Sequence, residues 1–266
     1  MIIVKVGGGK KINLDYVCQD FASLVKREKA ILVHGASAKR DEIAKKLGHS
    51  TKTVVSPSGI SSVYTDEKAL EIFLMTYAGL VNKQIVAKLQ RFGINAVGLS
   101  GVDARLWEGK RKRNILIREK KKVKLLTDNF TGRVEKINTE LIKLLLNNNF
   151  IPVICPPAIS YENEIINVDN DRAIAVMAKE LGVEKMVVLF EAPGLLKNPK
   201  DEKSLITHID KNEIDKYLKF AKGRMKKKIL GAQEAIKAGV KKIYWGDGRI
   251  KNPISSALQG KGGVIS

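Results

Sequence analysis

Short apolar runs alternate along the chain with stretches of helical period. Strands are predicted at Ile2–Val6, Ala30–Val33, Ala96–Leu99, Ile151–Cys155, Ile165–Val168, Lys185–Phe190 and Lys242–Trp245. Each is a brief aliphatic run of the kind that suits a strand buried on both faces. Helices are predicted over Leu14–Lys26, Asp41–Leu47, from Thr65 to about Gln90, over Leu141–Leu146, from about Asp171, and over Met225–Ala238. The third is the clearest. Leu70, Phe73, Leu74, Tyr77, Leu80, Val81 and Ile85 recur at helical spacing, Thr65 stands where a cap is needed, and Asp66 and Glu67 suit the positive end of the dipole. Arg113 to Leu126 alternates as a β-hairpin does, and a basic hairpin over 110–125 is expected. Repeated strand-helix alternation predicts an α/β fold: a mostly parallel open sheet covered on both faces, a three-layer sandwich. A soft boundary near 165–172 divides it into lobes 1–170 and 171–266.

Composition narrows the function. No apolar run approaches the ~18 residues that a membrane span needs, and the chain opens directly on a strand, without a basic leader. A cytoplasmic protein is expected. Cys18 and Cys155 show no CxxC spacing and read as buried thiols, and His34, His49 and His208 show no metal-ligand spacing. The net charge of +20 is the strongest compositional signal, and the parts 1–171 and 172–266 each carry half of it. A charge of this size calls for an acidic partner. A heat-adapted surface would raise Glu alongside Lys, and here Glu lags. Nucleic acid is disfavoured as the partner: aromatics make up 6% of the chain, and no basic motif is interleaved with them.

Four motifs carry candidate chemistry. Lys5-Val6-Gly7-Gly8-Gly9 ends the first strand, where glycines let backbone N–H groups approach an anion. It is not the GxxxxGK[ST] loop, and alone it is as well read as an ordinary turn beside a solvated lysine. His34-Gly35-Ala36-Ser37 follows the second strand and opens at the same sheet edge, where α/β proteins bind ligands; His34 reads as a packing or hydrogen-bonding residue. In Asn167-Val168-Asp169-Asn170-Asp171, alternate side chains share a face, with Asp171 either capping a helix or holding ammonium groups. Gly223-Arg224-Met225-Lys226-Lys227-Lys228 sets a basic cluster at a helix start, which opposes the dipole unless an anion binds there.

Together, in this order and over essentially the whole chain, these motifs resemble the amino-acid kinase family. They are nearest the kinases of the amino-group carrier-protein pathway of lysine and arginine biosynthesis, and similar to N-acetylglutamate kinase at greater distance. Leu70-Glu71-Ile72-Phe73, Gly79-Leu80-Val81-Asn82-Lys83, Gly98-Leu99-Ser100-Gly101, Pro156-Pro157-Ala158, Ser160-Tyr161-Glu162-Asn163-Glu164 and Asp247-Gly248-Arg249-Ile250-Lys251-Asn252-Pro253 extend the likeness.

The resemblance implies a carbamate kinase-like fold and an in-line attack of a substrate carboxylate on the γ-phosphate of ATP, with Mg2+ bridging the phosphates and no direct metal ligand from the protein. It implies that Lys5 and Lys228 neutralise the transferring group and that Asp171 orients them. Gly7, Gly8, Gly35, Ala36 and Ser37 would cradle phosphate oxygens, and Asn167 and position 63 would hold the substrate. The ATP lobe is then 171–266 and the substrate lobe 1–170. By the same resemblance the substrate would be aminoadipate, with glutamate as a second candidate, carried on an acidic protein of the LysW kind, and the enzyme would be a homodimer through the helix from Thr65. The basic stretch Lys110, Arg111, Lys112, Arg113, Arg118, Lys120, Lys121, Lys122 and Lys124 is the expected carrier contact.

Three positions depart from the family pattern. Val63 stands where an arginine usually contacts the substrate, Ala36 replaces a glycine, and Phe190-Glu191-Ala192-Pro193-Gly194 alters the nucleotide turn. The competing readings are a kinase of free N-acetylglutamate, which leaves the charge unexplained, and a catalytically weakened regulatory homologue.

Overall fold

The computed structural model describes residues 1–120, 122–221 and 223–266, with Arg224 described at the backbone alone. In chain order its elements are β1 (Ile2–Val6), α1 (Leu14–Val25), β2 (Ala30–His34), α2 (Ser37–Lys46), β3 (Lys52–Val55), β4 (Ser61–Tyr64) and α3 (Glu67–Leu74). A π-helical segment, Met75–Val81, joins α3 to α4 (Asn82–Arg91). There follow β5 (Ala96–Gly101), β6 (Trp107–Lys112), β7 (Ile115–Glu119), β8 (Lys122–Leu126), β9 (Thr131–Ile137), α5 (Thr139–Asn147), β10 (Ile151–Ser160), β11 (Ile165–Val168) and α6 (Asn170–Leu181). The chain ends with β12 (Lys185–Phe190), β13 (His208–Ile209), α7 (Arg224–Lys237), β14 (Lys242–Asp247), α8 (Pro253–Leu258) and β15 (Gly263–Ile265).

The central strands run parallel in the order β5, β10, β2, β1, β12, β14, and the sheet continues unbroken across residue 170. β1 lies in its middle, with Lys5 opposite Val33 on one side and Val188 on the other. Because side chains alternate across a strand, Ile2, Val4 and Val6 face one core with Phe21, Phe73, Tyr77 and Ile85, and Ile3 faces the other with Ile174, Ile229 and Trp245. Lys5 shares the face of Ile3, which is the face covered by α6 and α7. Period-two alternation thus aims the one charge of β1 at the two helices that carry its partners.

Several boundaries differ from the pattern. The helix expected from Asp41 starts at Ser37, directly out of the glycine turn, because its polar first turn gives no periodic signal. The long helix is capped by Asp66, whose carboxylate accepts from the Ala69 N–H at 2.8 Å, while Thr65 is buried. The helix expected from Asp171 begins one residue earlier and is capped by Asp169, so Asp171 is free of that duty. The basic stretch does not form one hairpin over 110–125. Lys110, Arg111 and Lys112 belong to β6, which pairs with β9 in the main sheet, and a separate ribbon is made by β7 and β8. Lys121 of that stretch lies outside the described residues.

Candidate active site

Lys5, Asp171 and Lys228 meet above the carboxyl end of β1. The Lys5 ammonium donates to Asp171 Oδ1 at 2.6 Å, and the Lys228 ammonium to Asp171 Oδ2 at 3.3 Å. Lys5 is buried and the Lys228 side chain is mostly so, and the two share one carboxylate, leaving the cluster a net positive charge in a poorly solvated setting. Burial works against the Lys5 charge, but Asp171 outweighs it and raises the Lys5 pKa. At Lys228, burial and repulsion from Lys5 prevail over the longer bond to Asp171 and push the ammonium down to about 8. Burial alone would raise Asp171, yet Lys228 and Lys5 hold it well below the usual carboxylate range. Asp169 reaches Lys227 at 3.6 Å, so the basic start of α7 is anchored to the start of α6.

The two glycine turns are pressed together. A Cβ at Gly8 would lie 2.3 Å from the Ser37 amide nitrogen and 2.5 Å from that of Ala36, so only glycine allows this approach. The Gly8 carbonyl accepts from the Ser37 hydroxyl at 3.0 Å and the Ala38 N–H at 2.8 Å. Among the described residues the N–H groups of Gly8, Ala36 and Ser37 make no backbone hydrogen bond. Tyr77 lies against the Ala36 backbone from the core side, and N–H donors converging at a helix start form an anion site. Ala36 has φ −147°, outside the left-handed region, so replacing glycine there introduces no strain. Gly7 donates to the Leu189 carbonyl at 2.8 Å, fastening the first turn to the end of β12.

The buried His34 receives the Asn82 side-chain N–H on Nε2 at 3.1 Å, which places its own proton on Nδ1. Burial pushes its pKa down to about 4, so it is neutral and supports the turn rather than acting as a base. Asn170 ties the same place to α6, donating to the His34 carbonyl at 3.0 Å.

On the other side of α2, a cleft is lined by Arg40, His49, Thr51, Val63, Thr65, Phe73 and Asn167. Asn167 donates to the Thr65 hydroxyl at 3.0 Å and so spans from β11 to the start of α3. Val63 presents an aliphatic wall.

Of the basic stretch, Lys110, Lys112, Arg113, Arg118, Lys120, Lys122 and Lys124 are exposed. Arg111 turns inward instead: it is bonded to Glu164 at 2.6 Å, and its guanidinium lies 3.7 Å over the Phe130 ring. The Arg118 guanidinium donates to the Pro57 carbonyl, and the Tyr64 hydroxyl to the Thr127 carbonyl, so the β7–β8 ribbon leans on the β3–β4 ribbon that carries Val63.

Sequence reasoning missed Arg40, and it named Asn82 and Glu191 within family-like stretches without giving either a task. Glu191 accepts from the Lys11 N–H at 2.6 Å, and its carboxyl packs where a Gly9 Cβ would stand. Arg40 lies in a helix polar all round, Asn82 inside an apolar run and Glu191 in the irregular turn that departs from the family pattern, and none of these settings gives the side chain its task. Only their three-dimensional neighbours do.

Residues 1–245 match the model of the amino acid kinase family. The chain is 51% identical over 267 residues to the [LysW]-aminoadipate kinase of Deinococcus radiodurans, covering 100% of this chain and 91% of that protein. It is 47% identical to the [LysW]-aminoadipate kinase of Thermus thermophilus, covering all of both. The [LysW]-aminoadipate/[LysW]-glutamate kinase of Saccharolobus islandicus is 35% identical, over 100% of this chain and 99% of that one. Among solved structures, carbamate kinase from Giardia lamblia superposes with a TM-score of 0.66 at 17% identity, covering 99% of this chain and 98% of that chain. N-acetylglutamate synthase from Neisseria gonorrhoeae superposes with a TM-score of 0.79 at 21% identity, covering 100% of this chain and 59% of that one. These structural likenesses speak for the fold.

Proposed function

Since the chain belongs to the amino acid kinase family, we propose that it transfers the γ-phosphoryl group of ATP to the side-chain carboxylate of aminoadipate carried on an acidic LysW-type protein. Full-length identity to kinases named for that reaction supports the reading. The observation that carries it is the pair of lysines bridged by Asp171 beside two fused glycine turns. This is a centre of positive charge with converging backbone N–H donors, and it suits a nucleophile that is already ionised. Glutamate on the same carrier, as in the arginine branch, is the second substrate to test.

Each residue then has one task. Gly8, Ala36 and Ser37 hold phosphate oxygens on their N–H groups. Lys5 and Lys228 neutralise charge gathering on the transferring group. Asp171 fixes both ammonium groups before substrate arrives, so little reorganisation is needed during transfer. Asn167 and the cleft beside Val63 hold the amino-acid end, which assigns 1–170 to substrate and 171–266 to nucleotide. Among the described residues no group of three His, Cys, Asp or Glu side chains is placed to hold a metal ion. Mg2+ would arrive with the nucleotide and screen the charge of its phosphates. The exposed lysines and arginines of 110–124 receive the acidic carrier, and the enzyme is a cytoplasmic homodimer through the α3–α4 helical element. Among the described residues no helix is long and apolar enough to cross a membrane.

The test is ATP-dependent acyl phosphate formation trapped as hydroxamate, with carrier-linked aminoadipate, carrier-linked glutamate and free N-acetylglutamate as substrates. Turnover of carrier-linked forms alone is expected. Turnover of free N-acetylglutamate alone would overturn the carrier assignment, and no turnover with any would overturn the kinase reading.

A further inference from the structure

The cleft beside Asn167 contains a cation that the phosphate-binding machinery does not use. Arg40 is 7% exposed and sits one turn into α2, its N–H bonded to the carbonyl of Ala36 in the glycine turn. Its guanidinium Nε and Nη2 bind Asp41 Oδ1 at 3.1 and 2.7 Å, and that oxygen is also held by the Thr51 hydroxyl at 2.7 Å. Among the described residues Nη1 makes no hydrogen bond. The Asp41 side chain is 41% exposed, so water screens much of its pull on Arg40. A buried guanidinium held on one edge, with Nη1 unpaired among the described residues and the side chain lining a cleft, is suited to receive a carboxylate.

The remaining walls leave that task to Arg40. Val63 and Phe73 are apolar, and His49 is engaged by Asp66 at 2.9 Å. The cleft also lies at the correct end of the molecule. Arg40 follows the glycine turn by one helical turn, its N–H bonded to the Ala36 carbonyl, so the cleft it lines adjoins the phosphate-binding turn. A substrate with a carboxylate at Lys5 and a second one several bonds away would meet Arg40 with the second.

Resting on the proposed function, we propose that Arg40 is the specificity-determining residue for the substrate's second carboxylate, the one next to its acylated amine. Arg40 thereby supplies the positive charge that the Val63 wall does not.

The experiment compares carrier-linked aminoadipate with carrier-linked 5-aminopentanoate, which keeps the reacting carboxylate and lacks the second. Wild type should show a KM for aminoadipate lower by roughly 10–100-fold, the value of one charge-assisted contact. Arg40→Ala should raise the aminoadipate KM to that of aminopentanoate while leaving the KM for ATP and for aminopentanoate near wild type. Arg40→Lys should recover part of the discrimination, and Arg40→Ala with Val63→Arg should recover it from another wall of the same cleft. Equal losses on both substrates, a raised ATP KM, or discrimination that survives Arg40→Ala would overturn the proposal and leave Arg40 a structural partner of Asp41. If wild type turns over neither substrate, it is the kinase reading that fails. Calorimetric binding of N-acetyl-aminoadipate to wild type and Arg40→Ala still reads Arg40, and equal affinities would refute it.

Discussion

At the scale of the residue, the site is governed by one carboxylate serving two ammonium groups. Lys228 loses in that arrangement, and its pKa of about 8 has a consequence for activity. A depressed value means that the native enzyme gives up this proton first, so the charge is present below about pH 8 and lost as pH rises through it. The kcat/KM for ATP should therefore fall above pH 8 with a single ionisation. The kcat profile should hold to higher pH, because bound phosphates favour the charged form. A kcat/KM profile flat to pH 9.5 would refute this. Asp171→Asn should keep the shape, lose the orienting charge and lower kcat by about 10²–10³-fold, read by the same assay after thermal melting shows the fold intact.

Glu191 offers a second test at this scale. It clamps the glycine loop by receiving the Lys11 N–H, and Gly9 is the residue over which its carboxyl passes. Gly9→Ala would displace that flexible carboxyl rather than backbone, so its effect on the KM for ATP should match that of Glu191→Ala. The double variant should be no worse than either single one, whereas additive losses would show that Gly9 serves the nucleotide directly.

The element scale shows what the chain made legible and what it hid. The central strands were readable because strands buried on both faces must be apolar throughout, as Ile2–Val6 and Lys185–Phe190 are. Lys5 and Lys228 were singled out because a charge at the end of such a strand, and a basic cluster at a helix start, each conflict with local physics. β6 and β9 were missed. Their sequences, Trp107–Lys112 and Thr131–Ile137, are largely polar and partly exposed, and they become strands by pairing with one another rather than through their own pattern. The same pairing splits the basic stretch and turns Arg111 inward.

That inward turn sharpens the carrier prediction. Arg111 is spent on Glu164 and Phe130, so carrier binding falls to the exposed cations. Reversing Lys110, Lys112 and Arg113 to Glu together should weaken carrier affinity by roughly tenfold or more at low salt and flatten its salt dependence. Calorimetry giving unchanged affinity would dismiss the β6 end of the basic stretch as the docking face.

Over the whole molecule, the net charge of +20 belongs to both halves, so it acts as a broad field that steers an acidic partner rather than as a single contact. The α3–α4 element runs through its π-helical segment and leaves Met75 54% and Leu80 37% exposed, a face that suits the proposed homodimer. Light scattering should report a dimer for wild type and a monomer for Met75→Glu with Leu80→Glu. A wild-type monomer would rule the dimer out.

The position of β1 has one further effect, on the order in which the protein is made. The first strand to leave the ribosome pairs with β2 at once, but its other neighbour, β12, is not synthesised until residues 185–190. α7, one of the two helices that cover Ile3 and Lys5, follows later still at 224–237, and pairing across so long a separation in sequence is slow. Arrested nascent chains ending before residue 190 should therefore stay protease-sensitive at β1, with protection gained in a single step once β12 and α7 have emerged.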